Sequence, residues 1–319
     1  MEMNIRCCFF SFIILIASCK THPDAGRQYD AGNPDKVYKL RLNPLTGTKY
    51  HYNISSESEV KMEVAGKKMD NLNKSTVDAA YSVDRDTLGD LLLSMVYERI
   101  RLHTKSNDEE TDMDSENAAN SIDKVEGTLT ALKGATIEAV ISPTGQTKSI
   151  KGYDEIKQKA MSHMSVSDTY SRSIADKQWD MKIKDGLIRK NMEQFFNIFP
   201  DSAVHVGDRW KISSSQNEQI KMRIDNSYLL KDIHDGVATI ISEGKISADS
   251  AAGNAMGFSY TADLNGTQNG TFQVDIASGM LVSSKIAADV EGKMTMMGQE
   301  VPLTIHTSTQ LGGKKVKGN

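Results

Sequence analysis

Two long stretches of this chain, residues 37–152 and 200–312, alternate apolar and polar side chains in short runs. A period of two is the pattern of a strand with one buried and one wetted face. Lys49-Tyr50-His51-Tyr52-Asn53-Ile54 alternates in this way, and Val60, Met62 and Val64 share one face against Lys61 and Glu63. Turn residues separate the runs: Asn43-Pro44-Leu45-Thr46-Gly47, a hairpin tip at Gly66-Lys67, then Ser142-Pro143-Thr144-Gly145 and Ala277-Ser278-Gly279. Residues 90–104 are less plain. Leu91-Leu92-Leu93 suits a helix, yet Val96, Ile100 and Leu102 alternate with Glu98, Arg99 and Arg101 well enough to predict a strand. Asn107 to Asn120 is acidic and poor in apolar residues, which predicts a solvated loop.

The period changes once, over residues 153–199. Tyr153, Ile156, Ala160 and Met164 fall at helical spacing, as do Leu187, Ile188, Met192, Phe195, Phe196 and Phe199, with a weaker helical signal over 167–183 and Pro200 ending the segment. A helical layer with one apolar face needs something to cover, and the large candidate is sheet. The predicted fold is therefore α+β: two mostly antiparallel β-meander or half-barrel sheets, residues 37–152 and 200–312, joined and covered by the central helical segment. The two turns around Gly145 and Gly279 echo one another, and Thr46-Gly47-Thr48-Lys49-Tyr50 is similar to Gly207-Asp208-Arg209-Trp210, which reads as a weak duplication with the helices at the join.

At 319 residues and 39% hydrophobic, the chain can build one large domain or two modest ones. Its formal net charge of -4 gives no basic excess to recruit nucleic acid. Its three cysteines, Cys7, Cys8 and Cys19, all lie at the N-terminus, so the rest of the chain has no thiol for a disulfide, a zinc site or thiol chemistry. Packing alone must hold the fold.

Those first residues have an organisation of their own. Arg6 precedes an apolar run from Cys8 to Ala17, too short to span a bilayer, and Ile16-Ala17-Ser18-Cys19 follows. The arrangement resembles a bacterial lipobox. The resemblance implies a signal peptide over residues 1–18 and a mature chain starting at Cys19, which would carry diacylglycerol and an N-linked acyl chain such as palmitate. Residues 19–36 would be the lipidated tether and residues 313–319 a polar tail. It places the protein in the bacterial cell envelope, on the periplasmic face or the cell surface, with the membrane as a partner through its anchor.

Pro200, Val204, Val206-Gly207-Asp208 and Trp210, in a chain with such a leader and two β-rich halves, resemble an uncharacterised family of bacterial envelope lipoproteins. That family brings no activity with it. The plan of long antiparallel strands covered by helices also looks like the half-barrel lipoprotein carriers and chaperones of the envelope, an architectural analogy.

Motifs for chemistry are sparse. Asp112, Asp114 and Glu116 recur at every second residue as in calcium loops, but without the Gly that makes the tight turn or the distal bidentate Glu, so a solvated acidic segment is the favoured reading. Met294, Met296 and Met297 are soft donors that suit Cu(I). Sixteen methionines in the chain favour instead a loosely shaped core or an adaptable apolar groove. The seven histidines include no pair at i, i+2 or i, i+4, and there is no Gly-x-Ser-x-Gly elbow and no phosphate-binding Gly-rich loop. Trp179 and Trp210 read as core or rim anchors. No metal, cofactor or catalytic residue is predicted.

The expected function is that of a non-enzymatic, membrane-anchored envelope lipoprotein whose curved sheet binds an apolar small molecule or an envelope protein. Phe195, Phe196, Phe199, Met294 and Met296 would line, cap or fill the groove, and Cys19 would be the lipid attachment point. The alternatives are a structural or assembly component of a surface complex and, more remotely, an envelope hydrolase using dispersed carboxylates.

Overall fold

The computed structural model describes residues 36–64, 66–107, 109–117, 132–163, 185–216, 221–255, 258–296 and 298–316. The leader, Cys19, the tether up to residue 35, the helical signal over 167–183 and Trp179 lie outside them. Twelve strands form one antiparallel sheet: β1 (Lys49–Val64), β2 (Lys67–Arg85), β3 (Leu91–Ser106), β4 (Glu109–Asp114), β5 (Thr136–Ile141), β6 (Thr147–Lys151), β7 (Arg209–Gln216), β8 (Met222–His234), β9 (Val237–Ala255), β10 (Phe258–Asp275), β11 (Leu281–Met296) and β12 (Gln299–Lys315). Across the sheet they run β6-β5-β3-β2-β1-β12-β11-β10-β9-β8-β7, with β4 added to β3. Between β6 and β7 lie two helices, α1 (Tyr153–His163) and α2 (Asp185–Phe196).

This corrects the predicted α+β plan of two sheets. The halves are continuous because β1 pairs with β12, from Tyr50 opposite Lys315 to Met62 opposite Leu303. Local periodicity reports which residues point inward, not which strand lies beside which, so a pairing between the two ends of the chain leaves no local mark. The last strand also runs through Lys315, past residue 312.

The sheet is curled, and chain geometry shows how far. Laid flat, β6 and β7 would be about 48 Å apart, ten strand spacings of about 4.8 Å. Yet one short strap ties both sides: Tyr38 N donates to Val204 O just before β7, and Leu42 N donates to Pro143 O in the β5–β6 turn, both at 2.8 Å. Four residues reach at most about 14 Å. Helix α2 sits in the gap. Its Arg189 donates to Thr147 O on β6, and Trp210 Nε1 on β7 donates to Ile198 O, two residues past the helix, at 3.0 Å. The helical segment therefore seals a seam between two short edge strands, which would otherwise be open to pairing with another chain.

The main core lies at this strapped end, where Tyr52, Tyr81, Leu91, Ile137, Ile141, Phe196, Ile198, Leu230, Ile240 and Phe272 pack with strap residues Leu40 and Leu42. Each such side chain contributes about 1.5–3 kcal/mol on burial. Aromatic rings meet in two strings, Tyr50–Tyr52–Tyr81–Phe196 and Trp210–Tyr228–Phe272, stacked at Tyr50–Tyr52 and Trp210–Tyr228 and edge-on or tilted at the other contacts. Burial pushes the phenols of Tyr52, Tyr81 and Tyr228 well above their ordinary value and that of Tyr97 up to about 12.

Candidate functional site

Strand register assigns every second residue to the inside of the curl. The inward positions of β1 are Tyr50, Tyr52, Ile54, Ser56, Ser58, Val60 and Met62, and their partners carry the same face across the sheet. The outward positions of β1 are His51, Asn53, Ser55, Glu57, Glu59 and Lys61, and those of β10 are Thr261, Asp263, Asn265, Thr267, Asn269 and Thr271. That polarity is the reverse of a transmembrane barrel, whose outward band is apolar and where a Lys at the bilayer midplane costs about 2–4 kcal/mol. Among the described residues no helix is long and apolar enough to cross a membrane.

Along the inward face, three zones follow one another. The strapped end is the main core already described. The far end is a second apolar cluster, with Val60, Met222, Ile224, Ile246, Leu264, Val290, Leu303 and Ile305 among its members and Met62, Met294 and Met296 packed against it. Its described members are strand residues throughout, whereas the strap and α2 fill the main core. Between the two runs a polar row at one level, traced by register as Thr104, Asn73, Ser58, Thr307, Ala288, Gln268, Gly244 and Asn226. Away from the strand ends, where Lys67, Arg85, Lys315 and the buried Asp232 at the β8 bulge stand, the inward positions of β1–β3 and β7–β12 hold no Asp, Glu, His, Lys or Arg among the described residues.

The row is incompletely bonded. Ser56 and Thr309, opposite each other on β1 and β12, share a hydroxyl–hydroxyl bond of 3.1 Å. One step along, Ser58 and Thr307 are also opposite each other, yet neither hydroxyl has a hydrogen-bond partner, and neither does the side-chain amide of Asn73 beside Ser58. All three residues are more than nine-tenths buried.

The sequence-predicted residues fall in different zones. Phe195, Phe196 and Phe199 are buried in the main core at the seam and fill it, while Met294 and Met296 share the inward face of β11 in the second cluster, opposite Val301 and Gln299. The structure does not bring the two groups together. Cys19 lies outside the described residues. The residues that sequence reasoning missed are Ser58, Asn73 and Thr307. Their signal was present as polar residues at the inward positions of otherwise apolar alternation.

The acidic run is a strand, not a loop. β4 lies beside β3, and three of its carboxylates face basic side chains: Asp114 takes two bonds from Arg99, at 3.1 Å to Nε and 2.5 Å to Nη2, Asp112 lies 2.8 Å from His103, and Glu110 is 3.7 Å from Lys105. The Arg99 guanidinium holds the Asp114 carboxyl below its ordinary range. His103, Glu110 and Asp112 come within reach of a single ion, but on an exposed ladder where Lys105 already stands 3.7 Å from Glu110.

The Pro200–Trp210 motif is a joint. Val204 pairs with Tyr38, Asp208 accepts from His205 N at 2.7 Å, Gly207 N donates to Leu230 O, and Trp210 holds the exit of α2 while stacking on Tyr228. Between β2 and β3, Asp86 Oδ1 accepts from Leu88 N and Asp90 N, both at 2.9 Å.

Among solved structures, the chain is similar to an outer membrane channel from Pseudomonas putida F1 (8% identity, 90% of this chain and 100% of that one, TM-score 0.24). It is also similar to the translocator domain of the autotransporter NalP from Neisseria meningitidis (7% identity, 85% and 90%, TM-score 0.22) and to a DUF1329 family protein from Desulfovibrio piger ATCC 29098 (9% identity, 82% and 83%, TM-score 0.16). At these TM-scores the likenesses carry no inference for this chain. No curated protein matches it. The model of a family of unknown function, DUF6263, matches residues 89–281, well over half of the chain, and the protein belongs to that family.

Proposed function

We propose that this protein is a lipid-anchored lipoprotein of the bacterial cell envelope that binds an apolar ligand on the inward face of its sheet and catalyses no reaction. The observation that carries this reading is the second cluster: a methionine-bearing apolar group on the inward face of a curled sheet, made by strand residues and distinct from the core that the strap and α2 fill. Methionine suits such a surface because its unbranched thioether adapts to irregular ligands. The polar outer face supports a body that stands in water, held to the membrane by acyl chains on Cys19 and the tether that follows. Dispersed-acid hydrolysis finds no pair of facing carboxylates at the inward positions between the strand ends among the described residues.

The test is a titration of the purified protein with a fluorescent long-chain alcohol. Saturable binding at a stoichiometry near one is expected, and Met294→Glu, which sets a charge in the cluster, should weaken it at least tenfold. Non-saturable partitioning, indifferent to that change, would refute the reading.

A further inference from the structure

Building on the lipid-anchored reading, we propose that the strapped end of the curl is a membrane-facing surface that rests on an anionic lipid bilayer, with Leu45 and Leu88 entering the headgroup layer. Three observations carry the proposal. First, the two most exposed large apolar side chains among the described residues stand together at this end. Leu88, in the β2–β3 turn, is 85% exposed, and Leu45, in the turn before β1, is 74% exposed. Their turns are held side by side: Arg85 donates to Gly89 O in one and to Asn43 Oδ1 in the other, both at 2.9 Å, and Gly47 N donates to Val83 O. The half-exposed Val316 continues the rim, its N–H donating to Lys49 O. A single exposed leucine is ordinary on a protein surface, whereas a pair fixed on adjoining turns makes an apolar contact face.

Second, the charges around the pair suit an anionic surface. From Lys36 to Ser56 the chain carries Lys36, Lys39, Arg41 and Lys49 and no Asp or Glu, and Lys314 and Lys315 end the neighbouring β12. Lys39, Arg41, Lys49, Lys314 and Lys315 make no ion pair among the described residues. On the outer face of the sheet, by contrast, Lys61, Lys74, Arg101 and Lys105 each lie against a carboxylate. The acids nearest Leu88 are turned to the backbone: Asp84 accepts from Arg85 N, and Asp86 from Leu88 N and Asp90 N. Each Lys or Arg close to an anionic leaflet strengthens the attraction about fivefold.

Third, the chain enters the fold here. Read as a tether, residues 20–36 hold Lys36 within a root-mean-square reach of roughly 20–25 Å of the lipidated Cys19. The next residues, Val37 and Tyr38, already belong to the strapped end, where Tyr38 pairs with Val204. The hairpin tips at the other end lie a strand length away, and β10 runs 18 residues, about 60 Å along the strand. The anchor therefore brings Leu45 and Leu88, not those tips, to the bilayer.

The experiment puts a nitrobenzoxadiazole label on the lipidated full chain at Leu45→Cys, at Leu88→Cys or, at the opposite end, at Glu300→Cys; Cys19, blocked by its lipid, takes no label. Each protein is reconstituted into vesicles of phosphatidylcholine and phosphatidylglycerol in equal parts, with and without doxyl-labelled phosphatidylcholine as quencher. Emission from the Leu45 and Leu88 labels is expected to fall about twofold or more with the quencher, as for groups about 5–10 Å deep at the headgroup–acyl boundary, and emission from the Glu300 label to stay unchanged. In vesicles of phosphatidylcholine alone the quenching should drop by about half or more. Labels at Leu45 and Leu88 that are quenched no more than the Glu300 label, on vesicles that retain the protein, overturn the inference and leave the anchor standing; a blue-shifted emission without quenching would give the face to a second copy of the chain instead. Quenching indifferent to phosphatidylglycerol overturns the role of the cations. Protein that washes off the vesicles removes the anchor and this inference with it.

Discussion

Gly145→Ala is expected to destabilise the fold by about 3 kcal/mol or more, with the urea midpoint falling and the slope m unchanged. Two costs combine. Gly145 has φ +95°, and an alanine there suffers backbone strain of about 1–3 kcal/mol. Its Cβ would also stand 1.8 Å from Phe196 O and 2.3 Å from the carbonyl carbon, and backbone at the end of α2 cannot yield as a flexible side chain could. Overpacking of this kind costs about 1–3 kcal/mol further. Gly207 separates the two costs, because its φ is +96° but nothing lies within 4 Å of the Cβ position. Gly207→Ala should therefore show the strain alone and a clearly smaller loss. Equal losses at the two positions would mean that the β5–β6 turn does not seat on α2 and that the seam is not closed as described.

Cys19→Ser should move the protein from the membrane to the soluble fraction of the envelope and abolish its labelling by radioactive palmitate. A serine offers no thiol for the diacylglycerol, and without it the N-acyl chain is not added. Each buried CH2 is worth about 0.8 kcal/mol, so losing both signals removes the whole attachment rather than weakening it. The melting temperature should not change, since the described fold begins at Lys36, beyond the tether. Wild-type protein that takes up no palmitate and washes off the membrane would show that residues 1–19 are not a lipoprotein leader.

Much of the fold was legible from period alone. The strand at Leu91–Ser106 followed from alternation despite its leucine triplet, and the helical spacing at Met192, Phe195 and Phe196 marked a true helix. The echo between the turns at Gly145 and Gly279 has a shared structural basis: Pro143 O and Ser278 O accept from Leu42 N and Asn43 N, consecutive residues of the strap, and a Cβ at Gly279 would meet Arg41 O at 2.0 Å.

What was not legible is what depends on distant partners. Acidic Glu109–Asp114 has no apolar alternation to announce a strand, and it forms one because Arg99, Arg101, His103 and Lys105 on β3 line up against it. The helices read as a layer over two sheets because nothing in residues 153–199 reveals that Tyr50–Met62 will pair with Leu303–Lys315 and leave a seam elsewhere. The polar row escaped for the same reason. Ser58, Asn73 and Thr307 are unremarkable singly, and only the register of three strands makes them neighbours.

The most direct measurement is mass spectrometry of the full-length Cys19→Ser protein purified from envelopes, taken under native and then denaturing conditions so that covalent lipid does not interfere. A non-covalent mass excess of one apolar small molecule per chain, present in the native spectrum and gone in the denatured one, is the predicted result. A native mass equal to that of the polypeptide alone, from protein that is folded by circular dichroism, would contradict the account of the inward face as a ligand-binding surface.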